Sequence, residues 1–208
     1  MRKQKSSSRI SFRGRRLSVS GNVYLPCDDS FLLAKAVASR SRGDVLDMGT
    51  GSGIQGIAAA GKAKSVLFAD ISPEAVECAR KNAEISGATA KCRCRFVETD
   101  LFEAIPEAEK FDLIIFNPPY LPTKPGERAK GAINSAWDGG RNGRKVIDPF
   151  LGRFGARLKE GGILLYLDCQ LSGTRETKKT LGEAGFRFRT VARKRAGNER
   201  LSVLLAWK

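Results

Sequence analysis

The sequence predicts an α/β domain: a mostly parallel sheet covered by helices on both faces and closed by an antiparallel hairpin. Three observations predict it. Apolar strand patterns at 45–48, 66–69, 91–97, 111–116 and 163–168 alternate with helical patterns, as strand–helix–strand units do. A glycine-rich turn, DMGTGSGIQG, follows the first of them, where folds of this class bind ligands. The last two apolar runs, 186–192 and 201–206, have no helix between them and so predict antiparallel pairing.

Residues 1–16 carry Arg2, Lys3, Lys5, Arg9, Arg13, Arg15 and Arg16, a serine run and no acid. That composition predicts a flexible basic arm, leaving 17–208 as a single domain. Asp28 and Asp29 offer an N-cap to a helix whose apolar stripe is Leu32, Leu33, Ala36 and Val37. Strand 45–48 leads through the glycine turn into an apolar helix reaching Ala60. After strand 66–69, Ser72 caps a helix with Pro73 and Glu74 in its first turn, and Gly87 ends it. Strands 91–97 and 111–116 follow, then a helix within 144–158 for which Pro149 is a candidate start. Strand 163–168 and helix 174–184 precede the closing hairpin.

The 208 residues suffice for one domain with a sizeable core. No apolar run is long enough to span a bilayer, so no membrane association is expected. The basic N-terminus leads into Leu-Ser-Val-Ser rather than an apolar stretch, which argues against a signal peptide. Five scattered cysteines suggest reduced thiols and a cytoplasmic location. Cys92 and Cys94 lack a second pair at matching spacing, so no metal site is expected. The formal net charge of +15 favours contact with polyanions such as RNA or the ribosome, or serves as a solubilising coat. The chain has no histidine, which removes the commonest general base.

The glycine turn contains a literal G-x-G-x-x-G from Gly51 to Gly56, with Asp70 about twenty residues on, as in dinucleotide sites. Asp47 precedes it, giving Asp47-x-Gly49-x-Gly51-x-Gly53. A carboxylate there suits a ligand bearing an amino or sulfonium group and would repel a pyrophosphate. Asp70, at the next strand's tip, can accept both hydroxyls of a ribose, and Asp100, after the third strand, can hold an adenine amino group.

The fourth strand ends in Asn117-Pro118-Pro119-Tyr120. Two prolines forfeit two backbone donors and freeze two φ angles, more than a simple turn requires. A planar NH₂ on an sp² carbon is a poor nucleophile because its lone pair is delocalised. Accepting hydrogen bonds from both N–H groups aims that nitrogen. Asn117 offers a side-chain carbonyl, Pro118 a rigid backbone carbonyl, and Tyr120 a ring to cover the flat face of the substrate. These four are the candidate catalytic residues.

Asp-x-Gly-x-Gly-x-Gly with a later Asn-Pro-Pro-Tyr resembles the Rossmann-like class I methyltransferases, which use S-adenosylmethionine and have a seven-stranded sheet. The nearer resemblance is to the HemK family, glutamine N5-methyltransferases of translation release factors, in its short archaeal and eukaryotic branch. VYLPCDDSFLL is similar to that branch's Tyr-x-Pro-x-x-Asp-Thr opening, with Ser30 for the threonine, and AWDGGRNGRKVIDPF and AGNERLSVLLAWK resemble its later blocks. The resemblance runs from Val23 to the C-terminus. It implies that Ser30, Asp47, Gly49, Gly51, Gly53, Asp70, Asp100, Leu101 and Asn117 line an S-adenosylmethionine site. It also implies a release factor as protein substrate and a small zinc-binding activator, for which edge strand 91–97 is the expected contact. The helical substrate-binding domain that bacterial members carry before the glycine motif is not expected in these 208 residues, which leave no room for it.

Residues 121–143 have no helix or strand period and read as a substrate loop, with Trp137 at the substrate mouth. Two other readings compete. One is a nucleic-acid methyltransferase acting on an exocyclic amino group of adenine or guanine, which the same clamp and the charge allow. The other is a non-catalytic RNA- or ribosome-binding protein, against which the intact clamp argues.

Overall fold

The computed structural model describes residues 7–123 and 138–208. Its first element corrects an expectation. Residues 7–16 are not a flexible arm: strands β1 (Ser7–Phe12) and β2 (Arg15–Ser20) form an antiparallel hairpin. Arg13 and Gly14 both take positive φ, 51° and 77°, as the tightest two-residue hairpin turn requires. Phe12, Leu17 and Val19 are buried, and the hairpin packs against helix α3 (Pro73–Ile85). Residues 1–6 lie outside the described residues.

The remaining elements follow the expected alternation. They are α1 (Asp28–Arg40), β3 (Asp44–Met48), α2 (Ile54–Ala59), β4 (Ser65–Asp70), α3, β5 (Arg93–Glu98) and β6 (Phe111–Phe116). Then come α4 (Ile147–Arg153), β7 (Leu158–Cys169), α5 (Thr174–Glu183), β8 (Arg187–Ala196) and β9 (Glu199–Trp207). The seven-stranded sheet has the order β5-β4-β3-β6-β7-β9-β8. The first five are parallel, while β9 runs antiparallel to both β7 and β8. β5 and β8 are the edges, and their alternating cations discourage stray pairing.

Each sheet face carries its own core. On one, Leu33 and Val37 of α1, Ile54 and Ile57 of α2 and Ala79 of α3 pack on Val45, Leu113, Ile115 and Leu165. On the other, Phe150 and Phe154 join Leu46, Ile114, Phe116 and Tyr166, with the Phe116 and Phe150 rings 4.0 Å apart. Helix boundaries agree with the local signals except at α1. Ser72 caps α3 by accepting from the Ala75 N–H, and Gly87 follows it at φ 69°. Pro149 sits in the first turn of α4, where its missing N–H is harmless. Asp28 and Asp29 lie inside the first turn of α1 rather than at its cap, which is Cys27. That displacement releases the Asp29 carboxylate for another task.

Candidate active site

The carboxyl ends of β3, β4 and β6, the loop after β5 and the start of α1 line a cavity of about 1270 Å³. It lies where the strand order reverses between β3 and β6, the ligand position of open α/β sheets. Val19 and Ser20 of the N-terminal hairpin also line it, as do Ala196 and Glu199 beside the β8–β9 turn.

Of the expected site residues, Ser30, Gly49, Gly51, Asp70, Asp100, Leu101, Asn117, Pro118, Pro119 and Tyr120 all line this cavity. Asp47 and Gly53 do not. Asp47 is 1% exposed, and its Oδ2 accepts from Thr50 Oγ1 at 2.6 Å and from the Gly56 N–H at 2.8 Å. Through Oδ2 it fixes the glycine turn. Burial pushes its pKa up to about 7 against the two hydrogen bonds that favour ionisation. Gly53 is needed for packing: a Cβ there would lie 3.1 Å from Ala79 Cα, so only glycine lets α2 start this close to α3. Gly56 meets β4 in the same way, since its Cβ would lie 2.2 Å from Phe68 Cε1.

Asp70 ties the turn to the next helix. Its carboxylate accepts from the Gly51 N–H at 2.9 Å and the Ser72 N–H at 3.0 Å, which leaves lone pairs for ligand hydroxyls. Burial raises its pKa above the ordinary carboxylate value, while these backbone donors oppose the rise. Beyond β5, Leu101 is held at φ 49°, an uncommon conformation for leucine. Thr99 fixes it there, donating from Oγ1 to the Leu101 carbonyl at 3.1 Å and accepting from the Ala104 N–H at 2.9 Å. The Leu101 side chain and Asp100 thereby come together in the cavity wall.

The Asn-Pro-Pro-Tyr segment is anchored by a residue that the sequence reading assigned to a helix cap. Asn117 Nδ2 donates to Asp29 Oδ2 at 3.0 Å. A carboxylate only accepts, so this contact fixes which end of the Asn117 amide is nitrogen. Oδ1 is left buried in the cavity wall without a hydrogen-bond partner among the described residues. An orphaned acceptor costs about 1–3 kcal/mol, which an incoming N–H donor would recover. Asp29, 4% exposed, is itself held by the Tyr24 hydroxyl at 3.1 Å and the Ser30 N–H at 2.6 Å. Tyr120 donates its hydroxyl to Glu199 at 3.4 Å. Burial, then the Asp29 and Glu199 carboxylates, raise its pKa above the ordinary phenol value, so it keeps its proton.

Gln55 repeats the arrangement. It donates from Nε2 to the Ser30 carbonyl at 3.0 Å and leaves Oε1 buried and unpartnered. Two successive residues of α1 therefore hold two amides by their nitrogens. The signal for Gln55 was legible: it is the polar residue in an otherwise apolar G-I-Q-G-I-A-A-A run. Asn82 of α3 was also missed. Fully buried, it accepts from the Ser18 N–H at 2.8 Å and donates to the Ser18 and Ser52 carbonyls at 3.0 and 2.9 Å. It joins the hairpin to the glycine turn.

The loop expected at 121–143 is described only at its ends. Leu121 bridges Asp138, and the Gly139 N–H donates to the Leu121 carbonyl at 3.0 Å. Trp137 lies outside the described residues.

The Asp29–Asn117 contact makes a prediction. Asp29→Ala frees the Asn117 amide to rotate and is expected to lower kcat about tenfold or more. Asp29→Asn, which can still offer an acceptor to Asn117 Nδ2, is expected to recover most of it. Steady-state kinetics on both variants decide, and equal rates for the two would remove Asp29 from this positioning role.

The family model for the methyltransferase small domain matches residues 28–133. A Methanocaldococcus jannaschii protein assigned as a protein N5-glutamine methyltransferase is 39% identical over 200 residues, covering 96% of this chain and 98% of that protein. Human methyltransferase HEMK2 is 35% identical over 193 residues, 88% of each. Among solved structures, the E. cuniculi Mtq2–Trm112 complex, which methylates the eRF1 translation termination factor, matches with a TM-score of 0.69 at 24% identity. That match covers 90% of this chain and 99% of the other. The chain belongs to the methyltransferase small domain family, in the branch of the protein N5-glutamine methyltransferases that includes HEMK2.

Proposed function

We propose that this enzyme transfers a methyl group from S-adenosylmethionine to the side-chain nitrogen of the glutamine in the Gly-Gly-Gln motif of a translation release factor. The observation that carries the reading is Asn117 Oδ1, an orphaned acceptor in the cavity wall whose orientation Asp29 dictates.

The cavity fits the cofactor. Its volume of about 1270 Å³ exceeds the usual range for one small ligand and leaves space for a substrate side chain as well. Asp70 would take the ribose hydroxyls, Asp100 the adenine amino group, and the Gly49–Gly51 turn allows close backbone approach. When bound, S-adenosylmethionine supplies an electrophilic methyl group. The chain supplies position. Asn117 Oδ1 and the Pro118 carbonyl would accept the two N–H groups of the substrate amide, and the Tyr120 ring would cover its plane. With no histidine in the chain and Tyr120 holding its proton, orientation carries the acceleration, and the surplus N–H proton of the methylated amide passes to solvent after the transfer.

Partners follow from the edges. β5 is an outer strand whose Phe96 stacks on Phe68, with ring centroids 4.8 Å apart. Its free backbone edge is therefore the part that a small zinc-binding activator would pair with, as the Mtq2–Trm112 likeness suggests. A ribosome or RNA contact through the basic surface and a cytoplasmic location complete the reading. No helix among the described residues is long and apolar enough to cross a membrane.

The test is incubation with methyl-labelled S-adenosylmethionine and recombinant release factor, alone and with the candidate activator. Label is expected on the intact factor and absent from its Gly-Gly-Gln→Gly-Gly-Ala variant. Equal labelling of the two would place the acceptor elsewhere.

A further inference from the structure

Several cations near the sheet have acids beside them. Lys159 lies 2.6 Å from Asp44 and 2.8 Å from Asp112, Lys194 lies 2.7 Å from Asp28, and Arg95 lies 2.6 Å from Glu109. A depression of about 430 Å³ is lined, among the described residues, by Arg40, Arg42, Lys62 and Arg189, together with Ser39, Ser41, Ile163 and Leu205, and by no carboxylate. None of the four cations has an acidic partner among the described residues. Arg40 Nη1 is held by Ser39 Oγ at 2.8 Å and Arg42 Nη2 by the Gly161 carbonyl at 2.9 Å. Those partners are neutral, so they orient the guanidinium groups without cancelling charge.

The four cations come from three parts of the chain: the end of α1 and the turn after it, the turn between α2 and β4, and edge strand β8. Protection of a sheet edge accounts for Arg189 and its neighbour Arg187. It does not account for Arg40, Arg42 and Lys62, which lie outside β8 and are gathered beside it. The depression is also separate from the catalytic cavity. α1 runs from Asp28, in the cavity wall, to Arg40, so its 13 residues hold the two sites about 20 Å apart.

We propose that this depression is a docking site for the phosphate backbone of RNA, remote from the methyl-transfer site. Guanidinium forks match phosphate oxygens in pairs, and lysine adds a point charge. Among the described residues the depression has no aromatic anchor of the kind that dominates protein–protein contacts, and its apolar lining is limited to Ile163 and Leu205. The phosphate chemistry stands on the cations alone; the choice of RNA over DNA rests on the release-factor reading. A site of this kind would hold the enzyme near ribosomal RNA while the opposite end of the sheet faces its protein substrate.

The test uses the full chain and an unstructured polyuridine, with binding followed by fluorescence anisotropy across a salt series. Lys62 and Arg189 are both exposed, so Lys62→Glu/Arg189→Glu is expected to fold normally, checked by unchanged calorimetric binding of S-adenosylhomocysteine. The expected result is about tenfold weaker RNA binding or more, with the salt slope reduced by about one to two units as two phosphate contacts are lost. A control on α5, Arg175→Glu/Lys179→Glu, is expected to change RNA affinity much less. Unchanged affinity in the first variant, or an equal loss in the control, overturns the proposal. So does polyglutamate binding as tightly as polyuridine, which would make the site a general acceptor of acidic chains. None of these outcomes depends on whether the release factor is methylated, so this proposal and the proposed activity fail separately.

Discussion

Asn117→Ala is expected to lower kcat by about two to three orders of magnitude, the usual effect of removing one oriented group that acts on the transition state. Alanine removes the orphaned Oδ1 and with it one of the two acceptors proposed for the substrate nitrogen. The fold should survive. Asp29 loses the Asn117 donor but keeps the Tyr24 hydroxyl and the Ser30 N–H, so its buried carboxylate is not stranded. Cofactor affinity should change far less than kcat, because Asp70 and the glycine turn are untouched. Kinetics show the loss, and calorimetry with S-adenosylhomocysteine separates it from a binding defect. Asn117→Asp should be no better than alanine, since it would set a second carboxylate against Asp29. Near-normal turnover in Asn117→Ala would take the clamp out of the mechanism.

The second large effect concerns stability. Asp47 has a folded-state pKa of about 7 against an ordinary value of 3.8, chiefly because it is buried. Between those two values the folded state binds the proton and the unfolded state does not. The associated stability is therefore complete below about pH 4 and is lost as pH rises to about 7. The shift corresponds to roughly 4 kcal/mol across that window. Asp70 is displaced in the same direction by burial. Asp44 and Asp112 act oppositely. The Lys159 hydrogen bond lowers Asp44, and Lys159 lowers Asp112 in spite of its burial, so their contributions are lost only in stronger acid. Denaturant titrations from pH 4 to pH 8 are expected to show stability falling toward neutrality. Asp47→Asn can still accept from Thr50 and Gly56 and should flatten most of that slope. An unchanged slope would show that Asp47 does not carry the proton.

These two residues show how far the sequence can be read. The Asn-Pro-Pro-Tyr segment and the glycine turn are local motifs, and strand–helix alternation places both at the carboxyl edge of the sheet. Their position and their residue types were therefore legible. What was not legible depends on side-chain direction and on contacts between distant segments. Asp47 stands at a strand tip, where its carboxylate could face ligand or interior. The Gly56 N–H and Thr50 hydroxyl draw it inward, and nothing in the spacing shows that. Asp29 looks like a cap because it starts a helix. Its partner Asn117 is 88 residues away and becomes a neighbour only when the fold brings the start of α1 to the end of β6.

The N-terminal hairpin was hidden for a different reason. Its basic, serine-rich composition suggested disorder, yet Ile10 and Phe12 alternate with Arg9 and Ser11, and Leu17 and Val19 with Arg16 and Ser18. Alternation on both sides of Arg13-Gly14 is a hairpin pattern that the charge obscured. Asn82 then fixes the hairpin against the glycine turn, so a segment read as an appendage becomes part of the cavity wall.

The central claim is that the clamp holds a glutamine amide rather than a nucleobase. A single competition tests it most directly: methyl-labelled S-adenosylmethionine, the enzyme, and release factor and total RNA together in one vessel. Protease and nuclease digests then show which polymer carries the label, and fragment mass spectrometry locates the labelled atom. The account predicts label on the side-chain nitrogen of the Gly-Gly-Gln glutamine and none on RNA. Label confined to an exocyclic amino group of an RNA base would contradict it.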